Sequence, residues 1–242
     1  MRPRPVGAVV CAAVAALACA QASGSDRSRP ASADVRARAD PAEHPASDPA
    51  RAPVGGVPVG YIGRTDDPAK SIAGVTYTPA PGGMWEVNSG THDQNLSHIV
   101  YTPLDTATGT YAVRTEMDQI QTAVHPEAFG VFIGGRNLDG PAQKYGYFLL
   151  RSDGMYAIKV RDGREARVLV DFTASPHVAK ANAAGQANYP ITVRVATDSV
   201  RLFVGPDPVA AIARGRIPAD GIVGLRVNHG LRPTVSPIVI SR

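Results

Sequence analysis

Between Val54 and Arg242, apolar residues recur at every second position. Tyr111, Val113, Thr115 and Met117 alternate with Ala112, Arg114, Glu116 and Asp118. Phe129, Val131 and Ile133 alternate with Gly130, Phe132 and Gly134. Tyr156, Ile158 and Val160 alternate with Ala157 and Lys159, and Val223, Leu225 and Val227 with Gly224, Arg226 and Asn228. Period two puts one side-chain set on each face of a pleated strand, so these runs predict half-buried β-strands. No segment sustains a 3.6-residue apolar period. Val178 to Gln186 is short and contains Gly185, which predicts a helical turn or a loop.

Turn residues punctuate the runs. Ser152-Asp153-Gly154 and Arg161-Asp162-Gly163 separate three short strands, an antiparallel meander with Asp-Gly hairpin turns. Thr197-Asp198-Ser199 splits Ile191–Ala196 from Val200–Val204, and Gly205-Pro206-Asp207-Pro208 opens Val209–Ala213. About thirteen short strands with Gly/Pro-rich turns predict an all-β, two-sheet antiparallel jelly-roll sandwich. An immunoglobulin-like sandwich closes in about 100 residues, whereas roughly 190 are present here. That length buries near 70% of its unfolded surface, enough for one core. Trp85, flanked by Met84 and Val87, is expected in it.

The N-terminus changes the picture. Arg2 and Arg4 precede an apolar run from Val6 to Ala20, too short to span a bilayer, and small residues follow. Residues 1–22 therefore read as an export signal, cleaved after Ala18-Cys19-Ala20 or Ala20-Gln21-Ala22. Ala16-Leu17-Ala18-Cys19 also loosely resembles a bacterial lipoprotein box, which makes Cys19 the alternative anchor position. Residues 23–53, rich in Ala, Ser, Pro, Asp and Arg, read as a disordered tether. Residues 54–242 are the folded domain, expected in the periplasm, at the cell surface or secreted.

Both cysteines, Cys11 and Cys19, lie in the leader, so the mature domain has no disulfide, thiol nucleophile or cysteine metal site. Losing Arg2 and Arg4 takes the formal charge from +4 to +2, and scattered arginines without interleaved aromatics give no case for nucleic acid.

Five stretches carry a resemblance: Met84-Trp85-Glu86-Val87, Tyr111 to Glu116, Gly130-Val131-Phe132-Ile133, Tyr145 to Arg151, and Gly221 to Arg226. Together they resemble the concanavalin A-like lectin/glucanase superfamily. The order is most similar to bacterial exported domains of the 3-keto-disaccharide hydrolase type, over most of Gly83 to Ile240. Where that group carries N-S-G, this chain has Ala128-Phe129-Gly130. The resemblance implies a jelly roll that meets carbohydrate on one sheet, with cleavage of a glycosidic bond as the enzymatic alternative and a structural or adhesion role as a third.

If the apolar sets face the core, Arg114, Glu116, Asp118, Phe132, Arg136, Arg226 and Asn228 face outward, joined by Tyr147 and Arg151. Such a polar face with aromatic rings suits sugar hydroxyls and C–H faces; the same charges also pair readily across an exposed sheet. Asn137 and Asp139, in the loop after Arg136, border the expected groove. Their alternate oxygens also suit Ca²⁺, but two oxygens do not make a site, and a turn is the more frequent explanation of such a stretch. Otherwise no metal or cofactor is expected, because His44, His92, His98, His125, His177 and His229 lack zinc-motif spacing.

Glu116-Met117-Asp118-Gln119-Ile120-Gln121 is similar to the E-x-D-x-x-E strand of jelly-roll glucanases, but Gln121 stands where the acid would be. A retaining glycosidase needs two carboxyl groups about 5–5.5 Å apart, one able to donate a proton. Neither Ile120 nor Gln121 is an acid. A non-catalytic glycan- or glycoconjugate-binding domain is therefore expected.

Overall fold

The computed structural model describes residues 56–242, so the expected leader, the tether and the Cys19 anchor lie outside the described residues. The fold is an all-β sandwich of two antiparallel sheets, sixteen strands against the thirteen expected. The first sheet runs β1 (Ile62–Thr65), β4 (His98–Tyr101), β14 (Gly221–Val227), β7 (Ala128–Arg136), β8 (Lys144–Arg151), β9 (Met155–Asp162) and β10 (Glu165–Ala174), with β5 (Thr106–Ala107) paired to β14. The second runs β13 (Asp207–Ala213), β12 (Ser199–Val204), β11 (Gln186–Val195), β6 (Tyr111–Ile120), β15 (Pro233–Val235), β3 (Met84–Asn88) and β2 (Thr76–Ala80), with β16 (Val239–Ser241) also on β6.

The alternating apolar sets form the layer between the sheets. Tyr111, Val113 and Met117 from one sheet meet Phe129, Val131, Ile133, Ile158, Val160, Val223, Leu225 and Val227 from the other. Each large apolar side chain removed from water contributes roughly 1.5–3 kcal/mol. Trp85 is fully buried, as its neighbours suggested, with the Tyr61 ring edge-on at 5.4 Å. The β8–β9–β10 meander turns at the two Asp-Gly sites, and residues 178–186 form turns and bridges with no helix. No helix among the described residues is long and apolar enough to cross a membrane.

Order along the chain does not follow order in the sheets. β6 and β7 are consecutive, yet β6 pairs with β11, β15 and β16, while β7 pairs with β14 and β8. A chain reversal of this kind moves the polypeptide across the sandwich at 121–127.

β7 ends in an irregularity between Ile133 and Arg136. Gly134 adopts φ +65° there, and an added Cβ would lie 2.5 Å from the Pro218 carbonyl. Left-handed backbone and a main-chain collision both oppose a side chain. Gly134→Ala is expected to cost about 1–3 kcal/mol, read as a lower urea midpoint.

Candidate functional site

The residues expected to share one face divide between two. Arg114, Glu116 and Asp118 lie on β6, in the second sheet, whereas Phe132, Tyr147, Arg151 and Arg226 lie on the first. Both sets point outward, but from opposite sides of the core. The expected single groove is corrected on this point: alternation separates inside from outside and says nothing about which sheet a strand joins.

On the second sheet, Asn188 Nδ2 donates to both Glu116 Oε1 and Asp118 Oδ1, each at 2.6 Å, and Thr234 Oγ1 donates to Asp118 Oδ2 at 3.1 Å. Both carboxyl groups therefore act as acceptors from one amide. Arg114 reaches Ser241 Oγ at 3.4 Å.

The outer face of the first sheet is closed over by the chain itself. Phe132 is fully buried, Tyr147 is 3% exposed and Arg226 4%. Phe132 and Tyr147 belong to a second apolar cluster with Ile99, Tyr101, Leu138, Tyr145 and Leu149, and the Arg226 guanidinium lies 5.5 Å over the Tyr147 ring. Arg64 Nη1 donates to the Leu138 and Gly140 carbonyls at 2.5 and 2.7 Å, which pins the β7–β8 loop over the rings. Asp66 spans Arg226, at 2.5 and 2.6 Å, and Arg161 at 2.8 Å. Burial alone would raise the Asp66 carboxyl; attraction and hydrogen bonds from Arg226, with help from Arg161, hold it below the usual carboxylate range. Phe132 and Tyr147, expected as open stacking platforms, are packed structure instead. Arg151 pairs with Asp153 and lies 4.3 Å over the Phe172 ring.

Arg136, Asn137 and Asp139 separate as well. Arg136 donates to the Asp220 carbonyl and lines a basic cleft of about 680 Å³ with Lys144, Arg167, Arg214 and Arg216. Asp139 lines a different cleft of about 330 Å³ with Arg64 and Tyr101. Asn137 has φ +52° and accepts from Gly140 N–H at 3.1 Å, the geometry of a turn.

Asn228, the last expected residue, leads to a site that strand reading passed over. At one end of the sandwich, the segment after β3, the β6–β7 crossing and the end of β14 meet around a pocket of about 440 Å³. Asn88, His92, His125, Glu127 and Arg232 line it. Gly90, at φ +74°, turns the first segment, with its N–H on Asn88 Oδ1. Ser89 Oγ accepts from Leu231 N–H at 2.8 Å and donates to the Leu231 carbonyl at 3.0 Å, latching the first segment to the third.

That latch brings the imidazoles together. His229 Nε2 lies 3.0 Å from His92 Nδ1 and 3.2 Å from Glu127 Oε1. The His125 ring packs 4.3 Å from that of His92. Asn228 Nδ2 donates to Glu127 Oε2 at 3.1 Å, and its own Oδ1 accepts from Arg226 Nη2 at 3.2 Å. Burial lowers the His229 pKa, Glu127 opposes and His92 adds to the fall. His92 and His229 are 137 residues apart, so motif spacing could not join them. Their one sequence signal is that polar, ring-bearing residues sit where strands end.

No family model and no curated protein matches the chain. Solved structures do. The carbohydrate-binding module CBM66 from Bacillus subtilis superposes with a TM-score of 0.52 at 11% identity, over 76% of this chain and 96% of that one. A Bacillus subtilis protein of unknown function with a galectin-like fold gives 0.53 at 9% identity, over 75% and 88%. The likeness is one of fold. It extends to a protein described as galectin-like in fold, and the two-sheet antiparallel sandwich is the architecture that the alternating runs predict.

Proposed function

We propose that the protein is an exported, non-catalytic module that binds a glycan or glycoconjugate in the pocket between residues 88–93, 121–127 and 228–232. One observation carries this: imidazole rings, a carboxylate, an amide and a guanidinium converge on a solvent-open pocket of about 440 Å³. Sugar hydroxyls need planar donors and acceptors, and ring faces supply apolar contact. The pocket falls within the usual size range of small-ligand sites. The fold likeness to a carbohydrate-binding module supports the same reading. Against catalysis stands Gln121 at the position of the acid, while Glu116 and Asp118 are both held by the Asn188 amide.

Glycan-array screening followed by calorimetric titration of the best hit tests this. Arg232→Ala and Glu127→Gln are each expected to weaken binding tenfold or more, while Asp118→Asn, on the outer face of the second sheet and outside the pocket lining, leaves it unchanged. Loss of binding in the Asp118 variant alone would move the ligand to the outer face of the second sheet, around Glu116 and Asp118. Release of reducing sugar during incubation would instead favour the glycosidic-bond-cleaving alternative that the resemblance to 3-keto-disaccharide hydrolase-type domains implies.

A further inference from the structure

We propose that His92, His229 and Glu127 form a binding site for one zinc-class divalent ion. His92 Nδ1 and His229 Nε2 are 3.0 Å apart, and His229 Nε2 and Glu127 Oε1 are 3.2 Å apart. All three ligand atoms lie within 4.8 Å of one another. Tetrahedral zinc holds nitrogen and oxygen at about 2.0–2.1 Å, which sets neighbouring ligand atoms about 3.3 Å apart. Two of the three separations already match, and a shift of the exposed His92 toward Glu127 closes the third.

The surroundings favour a metal over a plain hydrogen bond. Ser97 Oγ lies 2.9 Å from His229 Nδ1 and also accepts from the His229 backbone N–H at 3.1 Å. With Nδ1–H donating to that oxygen, Nε2 presents a lone pair. That lone pair faces both His92 Nδ1 and Glu127 Oε1, and even a proton placed on Nε2 could serve only one of them well. A cation at the centre satisfies all three. Metal-bound histidines typically donate their second ring N–H to an oxygen, and metal-bound carboxylates are themselves hydrogen-bonded. Both conditions hold here: Ser97 orients His229, and Asn228 occupies Glu127 Oε2 and leaves Oε1 for the ion. The side chains of His229 and Glu127 are only 15% and 19% exposed, so neither must be gathered from a flexible surface.

The donor set selects the ion class. Two imidazole nitrogens and one carboxylate oxygen suit zinc and its neighbours, whereas Ca²⁺ takes 6–8 oxygens. Three protein ligands would leave a further position for water or a ligand oxygen, and the His125 ring beside His92 also lines the pocket.

The test uses the full chain, stripped with EDTA and titrated with Zn²⁺ by calorimetry, and with Co²⁺ by visible absorption. One equivalent is expected to bind at micromolar affinity or tighter, and Co²⁺ to give the intense visible bands of low coordination. His92→Ala and Glu127→Gln should weaken Zn²⁺ binding a hundredfold or more. Asn228→Ala, which leaves the ligands in place, should weaken it about 10–100-fold. His177→Ala, which alters an exposed histidine facing Asp207, should change nothing. Absence of stoichiometric binding, or retention of the ion by both ligand variants, overturns the proposal. If Glu127→Gln fails to fold by circular dichroism, His92→Ala decides, since His92 lies in an exposed turn. Glycan titrations with and without EDTA separate this site from the proposed function: zinc binding without glycan binding sinks only the latter, and the reverse sinks only the former.

Discussion

Asp66→Ala is expected to remove about 3–5 kcal/mol of folding stability, seen as a fall in urea midpoint at unchanged slope. One carboxylate pairs with two guanidinium groups on the outer face of the first sheet, Arg226 at 4% exposure and Arg161 at 8%. Removing it leaves two like charges under Leu138 and the tyrosines, with little water to screen them. Arg226 and Arg161 also keep an unpartnered buried Nε each among the described residues, so they have little reserve of hydrogen bonding. A loss below about 1 kcal/mol would mean that water reaches the guanidinium groups and that the face is open in solution. The same variant reaches the histidine pocket, because Arg226 holds Asn228 and Asn228 holds Glu127.

This ion cluster also shows what the sequence made legible. Period two sorted Val223, Leu225 and Val227 inward and Arg226 outward correctly, and did the same for Phe129, Val131 and Ile133 against Phe132. Sorting of that kind needs only the pleat. Sheet membership needs to know which strand pairs with which, and β6 finds its partners in β11, β15 and β16, all distant in sequence. Glu116 and Phe132, sixteen residues apart, consequently occupy opposite surfaces. Nor does alternation report on loops that fold back over a face. Leu138, a single apolar residue in Asn137-Leu138-Asp139-Gly140, was the available sign, and it is buried. The short strands β1, β5, β15 and β16 contain too few residues to display a period. The histidine pocket draws on three separate chain segments, and its members appear related only once the sheets have been assembled.

Acidification is expected to destabilise the fold by about 3 kcal/mol between pH 7 and pH 4, chiefly through His98. Its ring is fully buried at the start of β4, with Nδ1 on the Leu96 carbonyl at 2.8 Å and Nε2 on Tyr77 Oη at 2.9 Å. This pairing satisfies a neutral imidazole, with Nδ1–H donating and Nε2 accepting from the phenol. Burial opposes the imidazolium and pushes the pKa from 6.5 down to about 4; the Leu96 carbonyl resists, and Arg226 adds to the fall. The unfolded chain therefore takes up a proton near pH 6.5 that the folded chain refuses until about pH 4. Within that window the unfolded state binds more protons, so stability rises with pH and is lost as pH drops. The full 2.5-unit difference, at 1.36 kcal/mol per unit, gives the stated size. Asp66 acts in the same direction lower down, since its depressed pKa withdraws stability only as pH falls below the ordinary carboxylate value of 3.8. Urea titrations at pH 7, 6, 5 and 4 should show the decline, and His98→Gln should flatten it while lowering stability at pH 7. An equally steep decline in that variant would assign the acid sensitivity to other groups, with His229 the first to examine because its pKa is also lowered.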